Sequence, residues 1–318
     1  MNIVILDAVT LGDDLDLSPF TSLGSLTVYG TTTQEEMLAR TKDADVIILN
    51  KVKCNEQTLK NAQNLKLICV AATGYDNIDI AYCRAHGIGV CNVVGYSTDS
   101  VAALTVSAVL SLATHLFEYN AYTKSGAYSK GGFANAVSPV YHELAGKTWG
   151  IYGYGNIGRR VAAVASAFGC RVLVCKKRHE AGLPCVSLDT LAEESDILTV
   201  HTPLTEETRL SLDADRLSKM KKGSILVNVA RGAVLDEAAV TELVLSGHIG
   251  GFATDVYTSE PFSSEHPYTR LFGEKNVILT PHMAWGAKEA RERCIQEIWK
   301  NIETYVKGGI RNRVDLTS

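Results

Sequence analysis

Short apolar runs alternate along this chain with longer segments of helical periodicity. In the first third the runs are rich in Val, Ile and Leu, and the polar segment Gln34–Thr41 between two of them is helical in pattern. Such alternation predicts βαβ units and a parallel sheet covered by helices on both faces. The chain is therefore predicted to be an α/β protein. Its first strands are predicted at Asn2–Leu6, Asp45–Leu49, Lys66–Ala71 and Ile88–Asn92.

The alternation pauses in the middle of the chain and then restarts. The loop Gly95–Ser100 offers side chains that cap helices, and a long apolar helix is predicted from Val101. The stretch from Tyr119 to Ala145 is poorly patterned. We therefore expect a domain junction near residue 99 and a second doubly wound unit beyond it. Its strands are predicted at Thr148–Tyr152, Arg171–Cys175, Ile197–Val200, Ser224–Val229, Gly251–Asp255 and Asn276–Thr280.

Composition narrows the class of protein. A length of 318 residues suggests about two domains. Because 31 basic and 35 acidic side chains leave a net charge of −4, a nucleic-acid partner is not expected. The apolar stretch Val101–Phe117 contains Thr, Ser and His, so we expect a buried helix and no membrane span.

The cysteines, histidines and N-terminus add three expectations. None of the eight cysteines forms a Cys-x-x-Cys pair, and most lie in apolar runs, so we expect reduced core thiols and a cytoplasmic location. The histidines are not spaced as metal ligands, so no metal is expected. Met1–Val9 is patterned as a strand and lacks the features of a signal peptide.

A glycine motif follows the strand predicted at Thr148–Tyr152. Gly153, Gly155 and Gly158 have the G-x-G-x-x-G spacing and open the helix predicted at Asn156–Phe168. The first glycine allows a tight turn, the second lets the backbone approach a pyrophosphate, and the third lets the helix pack on the strand. In this strand-turn-helix context the motif predicts a bound dinucleotide, although a glycine-rich turn without a ligand is the alternative.

The end of the next strand indicates which dinucleotide is preferred. An NAD site normally carries Asp or Glu there for the ribose 2′-hydroxyl. This chain carries Lys176, Lys177 and Arg178, which would instead pair with a 2′-phosphate. We therefore expect NADP(H) to be favoured over NAD(H), and an ordinary solvated basic loop is the alternative interpretation.

Three further strings place polar residues at predicted strand ends, where open α/β sheets bind ligands. They are Asn228–Gly232, Asp255–Pro261 and Thr280–Trp285. Taken singly, Arg231 could be a surface cation, Glu260 an acid at a helix start, and His282 a buried turn residue. Their order after a dinucleotide motif makes the set informative.

Together these strings resemble the D-isomer-specific 2-hydroxyacid dehydrogenase family, in which Arg, Glu and His arrive in this order. The resemblance covers nearly the whole chain and includes His201–Thr205, Ala72–Asp79 and Leu144–Thr148. It implies a flavodoxin-like substrate domain formed by residues 1–99 and 286–318, and a Rossmann domain for the nucleotide formed by residues 100–285. It also implies a homodimer that uses the region from Val101 to Lys147.

The expected chemistry gives each of the three residues a role. Reduction of a 2-keto acid requires a hydride at the carbonyl carbon and a proton at its oxygen. His282 is the predicted proton donor, and Glu260 would fix its tautomer and stabilise the imidazolium. Arg231 would bind the substrate carboxylate through its fork of donors.

The resemblance also implies roles for residues around the catalytic three. The backbone amides of Thr73 and Gly74 would bind the substrate carboxylate. Asn50, Lys51 and Trp285 would line the substrate pocket, although core packing is the alternative for Trp285. The implied cofactor contacts are Asp255 and the carbonyl of Ala230 at the nicotinamide carboxamide, with Thr202, Asn156 and Ile157 along the dinucleotide.

One position departs from the family pattern. Before Thr105, an expected cofactor contact, the family usually has an acid or Gln followed by His, and this chain has Ala103 and Leu104. The departure affects hydrogen bonds predicted near the cofactor and the dimer contact.

The substrate is predicted less directly than the reaction. The strings around Asn50, Thr73, Tyr96 and Trp285 are most similar to the glycerate dehydrogenase or hydroxypyruvate reductase branch. Glu260 argues against formate, because formate dehydrogenases of this superfamily carry Gln there. A broad reductase of glyoxylate or aromatic 2-keto acids is an alternative, and a nucleotide-sensing corepressor-like protein is another.

Overall fold

The computed structural model describes residues 1–177, 182 and 184–316. Its contacts divide the chain into two units, and the first of these is discontinuous. Unit 1 comprises Met1–Ser97 together with Gly286–Ser318, and unit 2 comprises Thr98–Trp285.

Unit 1 contains a five-stranded parallel sheet in the order β2-β1-β3-β4-β5. The three central strands are almost wholly buried because both faces are covered by other elements, which is why they read as continuous apolar runs. The order reverses beside β1, which pairs with both β2 and β3. The strands are β1 (Asn2–Ile5), β2 (Ser25–Val28), β3 (Val46–Leu49), β4 (Leu67–Val70) and β5 (Gly89–Cys91).

The helices of unit 1 include one from the far end of the chain. The first helix is fixed by a reciprocal capping box between Thr33 and Glu36. The last helix has an apolar face that buries Ala290, Cys294 and Ile298. The helices are α1 (Gln34–Arg40), α2 (Glu56–Leu59), α3 (Ile80–Ala85) and α11 (Lys288–Val306).

Unit 2 contains a six-stranded parallel sheet in the order β11-β10-β9-β8-β6-β7. Its order reverses beside β6, which pairs with β7 on one side and β8 on the other. Two parallel α/β sheets confirm the predicted fold class. The strands are β6 (Thr148–Tyr152), β7 (Arg171–Cys175), β8 (Ile197–Val200), β9 (Ser224–Asn228), β10 (Ile249–Thr254) and β11 (Val277–Leu279).

Helices cover both faces of the second sheet. On one face α4 and α7 pack on Trp149, Ile151 and Val227. The other face is covered by α8, α9 and α10, which bury Leu191, Leu217 and Val240. The helices are α4 (Thr98–Ala113), α5 (Leu116–Lys124), α6 (Ala127–Gly131), α7 (Asn156–Ala167), α8 (Leu188–Glu194), α9 (Ala214–Ser218) and α10 (Glu237–Leu245).

The middle of the chain differs from its prediction. The apolar helix begins at Thr98, three residues before Val101, and it ends at Ala113. His115 takes the left-handed conformation with φ of 51°, which breaks the helix before α5 begins. The stretch that looked poorly patterned contains most of α5 and all of α6.

Strand β2 was not predicted from the sequence. Ser25–Val28 is an edge strand with a mostly exposed pattern, so it lacks the apolar run that marked the other strands. Among the described residues no single helix is long and apolar enough to cross a membrane, although α4 and α5, bent by 63°, meet that length and composition as a pair.

The cysteines follow the prediction with two exceptions. All eight are free thiols, and six of them are buried. Cys175 and Cys185 are half-buried, and they pack at the margins of the two core clusters of unit 2.

Candidate active site

The glycine loop joins β6 to α7. Gly153 has a φ of +96°, and a Cβ there would lie 2.5 Å from the backbone nitrogen of Thr202. A Cβ on Gly158 would lie 2.2 Å from the carbonyl oxygen of Gly153, whereas one on Gly155 would meet nothing within 4 Å. Close packing thus requires glycine at two positions, and the third leaves open space beside the backbone, as a pyrophosphate site requires.

Helix α7 begins at the same loop. Its N-cap is Gly155, which has no side chain to accept a capping hydrogen bond from Asn156, Ile157 or the rest of the first turn. The N–H groups of a first helical turn attract anions. The residues present therefore fit the diphosphate of a dinucleotide.

The basic cluster lies beside this loop and is partly paired. Two cations approach the ring of Tyr154. Lys176 Nζ lies 5.9 Å from the ring centroid, and the Arg159 guanidinium lies 4.8 Å from the same centroid. Lys177 Nζ lies 2.8 Å from a carboxylate oxygen of Glu207 in an exposed ion pair. The predicted contact at Arg178 lies outside the described residues.

Strand β8 ends next to the glycine loop. Thr202 is buried there, and its backbone packs against Gly153. The imidazole Nε2 of His201 lies 3.0 Å from the Thr199 hydroxyl, while Nδ1 is buried with no hydrogen-bond partner in the described part of the chain. Burial lowers the pKa of His201 to about 3, so this imidazole is neutral at physiological pH.

Thr105 lies on α4 and is fully buried. Its hydroxyl donates to the carbonyl of Val101, one turn earlier, at 2.8 Å. Because its proton is used within its own helix, the hydroxyl could only accept a hydrogen bond from a cofactor.

His282 and Glu260 form the chemical centre of unit 2. The imidazole Nδ1 lies 2.6 Å from Glu260 Oε2, and both side chains are partly exposed. The other oxygen of Glu260 accepts the N–H of Tyr257 at 3.0 Å. The carboxylate is thus oriented by the backbone, and it bonds Nδ1 of His282, which leaves Nε2 on the other side of the ring.

Asp255 holds the loop that carries His282. The carboxylate is 1% exposed and accepts the Thr280 hydroxyl at 2.5 Å and the N–H groups of Met283 and Ala284 at 2.9 and 2.8 Å. His282 itself has a φ of 52°. Asp255 therefore fixes the chain on both sides of the left-handed residue, at Thr280 before it and at Met283 and Ala284 after it.

Trp285 closes the same loop. Its indole N–H donates to the carbonyl of His282 at 3.0 Å, so the ring is fixed three residues beyond the imidazole. The predicted pocket residue thus also supports the loop.

The Arg231 loop follows β9. The Asn228 amide accepts the N–H of Ala230 at 3.0 Å and donates to the carbonyl of Arg231 at 2.9 Å. Arg231 Nη1 donates to the carbonyl of Ala230 at 2.8 Å. A Cβ on Gly232 would lie 2.1 Å from the carbonyl carbon of Tyr257, so this loop packs directly on the Glu260 loop. Arg231, Glu260 and His282 therefore lie on adjacent loops after β9, β10 and β11.

The predicted substrate residues Asn50 and Lys51 lie in unit 1, after β3. Their loop wraps around Asp7, whose carboxylate accepts the N–H groups of Asn50, Lys51 and Val52 at 2.9, 2.6 and 3.3 Å. The Asn77 amide donates to the carbonyl of Val52 at 2.8 Å. The backbone of the loop is thus fixed from two sides, and Lys51 is exposed.

Thr73 and Gly74 lie in unit 1 after β4. The amide of Asn92 donates to the carbonyl of Thr73 at 2.8 Å, and the amide of Asn301 donates in turn to the carbonyl of Asn92 at 3.0 Å. Within the described part of the chain, the N–H groups of Thr73 and Gly74 have no acceptor. They can therefore donate to a ligand.

Sequence motifs did not reveal several residues that support these loops. Asp7 and Asn92 act through contacts with residues distant in sequence, and no local spacing marks them. The described residues contain no cluster of three or more His, Cys, Asp or Glu arranged to hold a metal ion.

Comparisons with known proteins place the chain. Residues 106–284 match the family described as D-isomer specific 2-hydroxyacid dehydrogenase, NAD binding domain. The chain is 37% identical to glycerate dehydrogenase of Methylorubrum extorquens over 90% of each chain. It is 32% identical to hydroxypyruvate reductase of Blautia hydrogenotrophica, over 99% of this chain and 100% of that one. D-lactate dehydrogenase of Aquifex aeolicus, solved with NAD and lactic acid, superposes with a TM-score of 0.86, 29% identity and full coverage of both chains.

Proposed function

Because this chain belongs to the D-isomer-specific 2-hydroxyacid dehydrogenase family, an NAD(P)-binding family of oxidoreductases, we propose that it reduces hydroxypyruvate to D-glycerate with NADPH. The observation that carries the proposal is the contact of 2.6 Å between His282 and Glu260, beside the Arg231 loop. The names of the two curated relatives support the substrate.

His282 supplies the proton. A nicotinamide cofactor, when bound, would supply the hydride for the carbonyl carbon. His282 would donate the proton from Nε2 to the carbonyl oxygen of the substrate. Glu260 bonds Nδ1, which fixes the tautomer and favours the charged ring through the neighbouring negative charge. The pair therefore works as a general acid in reduction and as a base in the reverse direction.

Arg231 orients the substrate. Its guanidinium forms a planar fork that matches a carboxylate and polarises an adjacent carbonyl, a task for which lysine is no equivalent. The N–H groups of Thr73 and Gly74 are proposed to bind the substrate carboxylate, with Asn50, Lys51 and Trp285 lining the pocket. Within the described residues the N–H groups of Thr73 and Gly74 have no acceptor, which supports their role.

The cofactor is proposed to lie along the glycine loop and the first turn of α7, with Thr202 and Thr105 nearby. Asp255 and the carbonyl of Ala230 would orient the nicotinamide carboxamide. Preference for NADPH is supported by Lys176 and Lys177. The pair between Lys177 and Glu207 is well exposed and hence weak, so a 2′-phosphate can compete for this lysine.

We further propose that the protein is a cytoplasmic homodimer. The free thiols support the location. Exposed apolar side chains between residues 116 and 140 support the dimer, and light scattering at micromolar concentration tests it. They are Leu116, Phe117, Phe133, Val137 and Val140.

The function is tested by following absorbance at 340 nm with NADPH or NADH against hydroxypyruvate, glyoxylate, pyruvate and phenylpyruvate. We expect the highest kcat/KM with hydroxypyruvate and NADPH. A higher value with glyoxylate or phenylpyruvate would replace the proposed substrate by a broader one. No oxidation of either cofactor with any acid would contradict the function.

His282→Ala provides the control for mechanism. Since a positioned general acid contributes about 10²–10⁴-fold, we expect a loss of that size in kcat with the Kd for NADPH nearly unchanged. Near-normal turnover would exclude His282 as the proton donor.

A further inference from the structure

Unit 2 holds a second carboxylate–imidazole pair behind the first. Glu237 Oε2 lies 2.9 Å from Nε2 of His266, and the two side chains are only 10% and 8% exposed. Glu237 begins α10, and His266 immediately precedes a short 3₁₀ helix, Pro267–Leu271, that packs on α10. The motif of Arg231, Glu260 and His282 does not include either residue.

The hydrogen bonds of His266 fix its tautomer. Its Nδ1 accepts the backbone N–H of Tyr268 at 3.2 Å, so Nε2 carries the proton and donates it to Glu237. The rings of Phe262 and Tyr268 pack around it at centroid distances of 4.8 and 5.0 Å. Nε2 therefore donates to Glu237, and the ring lies in an apolar surround.

Glu237 connects this pair to the loop of Glu260. Its other oxygen, Oε1, accepts the backbone N–H of Thr258 at 2.9 Å. The N–H of the preceding residue, Tyr257, donates to Glu260 Oε1 at 3.0 Å. The consecutive N–H groups of Tyr257 and Thr258 thus bond two different carboxylates. A shift of the Thr258 N–H group would therefore also move the Tyr257 N–H group that bonds Glu260.

Tyr257 extends the connection to the loop of His282. Its hydroxyl donates at 2.9 Å to the carbonyl of Thr280, which also accepts the N–H of His282 at 3.1 Å. Burial raises the pKa of Tyr257 to about 12, so its phenol keeps the proton that it donates. The segment held by Glu237 therefore bonds Glu260 directly and reaches the backbone of His282 through the carbonyl of Thr280.

We propose that Glu237 and His266 are positioning residues that hold the Thr258 backbone so that Glu260 meets Nδ1 of His282. The inference rests on the proposed function, because it assigns these residues an effect on proton donation by His282. Glu237 must accept from both Thr258 and His266, and only a carboxylate does so without presenting a donor to one of them.

The test compares pH profiles of kcat for keto acid reduction in the unsubstituted enzyme and in Glu237→Gln. Reduction requires the imidazolium, so kcat falls as the pH rises. In Glu237→Gln, weaker positioning of Glu260 makes the imidazolium lose its proton at lower pH. We expect the descending limb to move down by about one pH unit and kcat to fall about tenfold, with KM for NADPH unchanged.

Titratable or charged groups beside the loop of His282 include Glu260, Asp255 and Tyr257, with Arg231 on the adjacent loop. The substitution changes none of them. Around Glu237 itself lie His266 and Tyr268, with Asp236 capping the helix. The substitution does remove the charge of Glu237, which acts on Tyr257. His266→Phe keeps that charge, so a shift of the limb in His266→Phe reports on positioning.

Glu242→Gln is the matched control. It removes an exposed ion pair with Arg270, which joins the same helix and the same 3₁₀ segment. We expect it to leave both kcat and the descending limb unchanged. An equal shift in both variants would overturn the inference, since general loosening of the two elements would then explain it.

His266→Phe tests the pair if Glu237→Gln does not fold. Phenylalanine retains ring packing against Phe262 and Tyr268 but removes both nitrogens. We expect a smaller shift in the same direction, because Glu237 still bonds Thr258. An unshifted limb in a folded, active variant would overturn the inference while the proposed function stands. An unsubstituted enzyme that reduces no keto acid would overturn both.

Discussion

The two sheets share the same reversal of strand order, but the space at that reversal is occupied differently in each. In each, the strand order reverses beside the first strand, at the boundary of β1 and β3 in unit 1 and of β6 and β8 in unit 2. Loops diverge at such a boundary and leave a crevice at the carboxyl ends of the strands. In unit 1 the Asp7 carboxylate fills that position and accepts three consecutive N–H groups. In unit 2 the position is lined by glycine, and the space beside Gly155 is open.

The difference shows what makes a switch point a ligand site. Backbone N–H groups attract an anion in both units, but in unit 1 the protein supplies its own anion. Burial raises the pKa of Asp7 because the carboxylate is removed from water, although its backbone hydrogen bonds act in the other direction. Unit 1 uses the crevice to fix a loop, and unit 2 leaves open space beside Gly155.

The largest effect is expected where the open crevice is filled. Gly155→Val places a side chain where the pyrophosphate should approach, and overpacking costs about 1–3 kcal/mol, so the Kd for NADPH should rise up to about 100-fold. Protein fluorescence measures this Kd. The melting temperature should change little, because a Cβ there meets nothing within 4 Å.

Gly247→Ala is the control for backbone strain. Gly247 has a φ of +71° with open space around it, and it lies after α10, away from the glycine loop in sequence. The substitution should lower the melting temperature and leave the Kd for NADPH unchanged. If Gly155→Val bound NADPH normally, the crevice of unit 2 would not be the cofactor site.

A smaller effect is expected where the internal anion is removed. Asp7→Asn replaces one acceptor oxygen by a donor, so the loop from Asn50 to Val52 loses part of its support. Because a buried backbone N–H group is left without an acceptor, the free energy of unfolding should fall by about 2 kcal/mol. We expect KM for the keto acid to rise and the Kd for NADPH to stay the same.

The contribution of Asp7 to the free energy of unfolding depends on pH, and the direction of that dependence can be stated. The pKa of Asp7 is raised above 3.8 in the folded protein. The folded protein therefore binds this proton more tightly than the unfolded chain does. The contribution of Asp7 to stability is therefore greatest below pH 3.8 and falls as the pH rises through the raised value. Urea unfolding between pH 3 and 7 should show this slope in the unsubstituted protein relative to Asp7→Asn, and equal slopes would contradict it.

The smallest effect is expected at the basic cluster. Lys176→Ala with Lys177→Ala should raise KM for NADPH about tenfold, since exposed ion pairs contribute up to about 1 kcal/mol each, and should leave KM for NADH unchanged. Lys275→Ala, an exposed lysine elsewhere in unit 2, is the control. If KM rose equally for NADPH and NADH, the two lysines would not act through the 2′-phosphate.

Sequence patterns predict what depends on local order. The buried strands appear as apolar runs because both faces are covered, and the glycine loop appears because its turn and its close approaches need specific residues at fixed spacing. Arg231, Glu260 and His282 each follow a strand, so their strings could be recognised. Strand β2 escaped because an edge strand with exposed residues carries no apolar run.

The remaining features depend on contacts between distant segments. Asp7 bonds a loop more than 40 residues away, and Glu237 bonds His266 across 29 positions. Nothing in the sequence near either residue specifies its partner. The break at His115 depends on a single left-handed backbone conformation, which propensity does not reveal in an apolar run.

The discontinuity of unit 1 has a consequence for biosynthesis. Val314 donates to the carbonyl of Val90, and Asp315 accepts the N–H of Val90, so the last residues complete the edge of the sheet at β5. Asn301 likewise secures the carbonyl of Asn92. A ribosome releases all of unit 2 before it releases these partners. The nascent chain therefore carries an unfinished sheet edge through most of translation, and unit 2 can fold while unit 1 waits for its last segment.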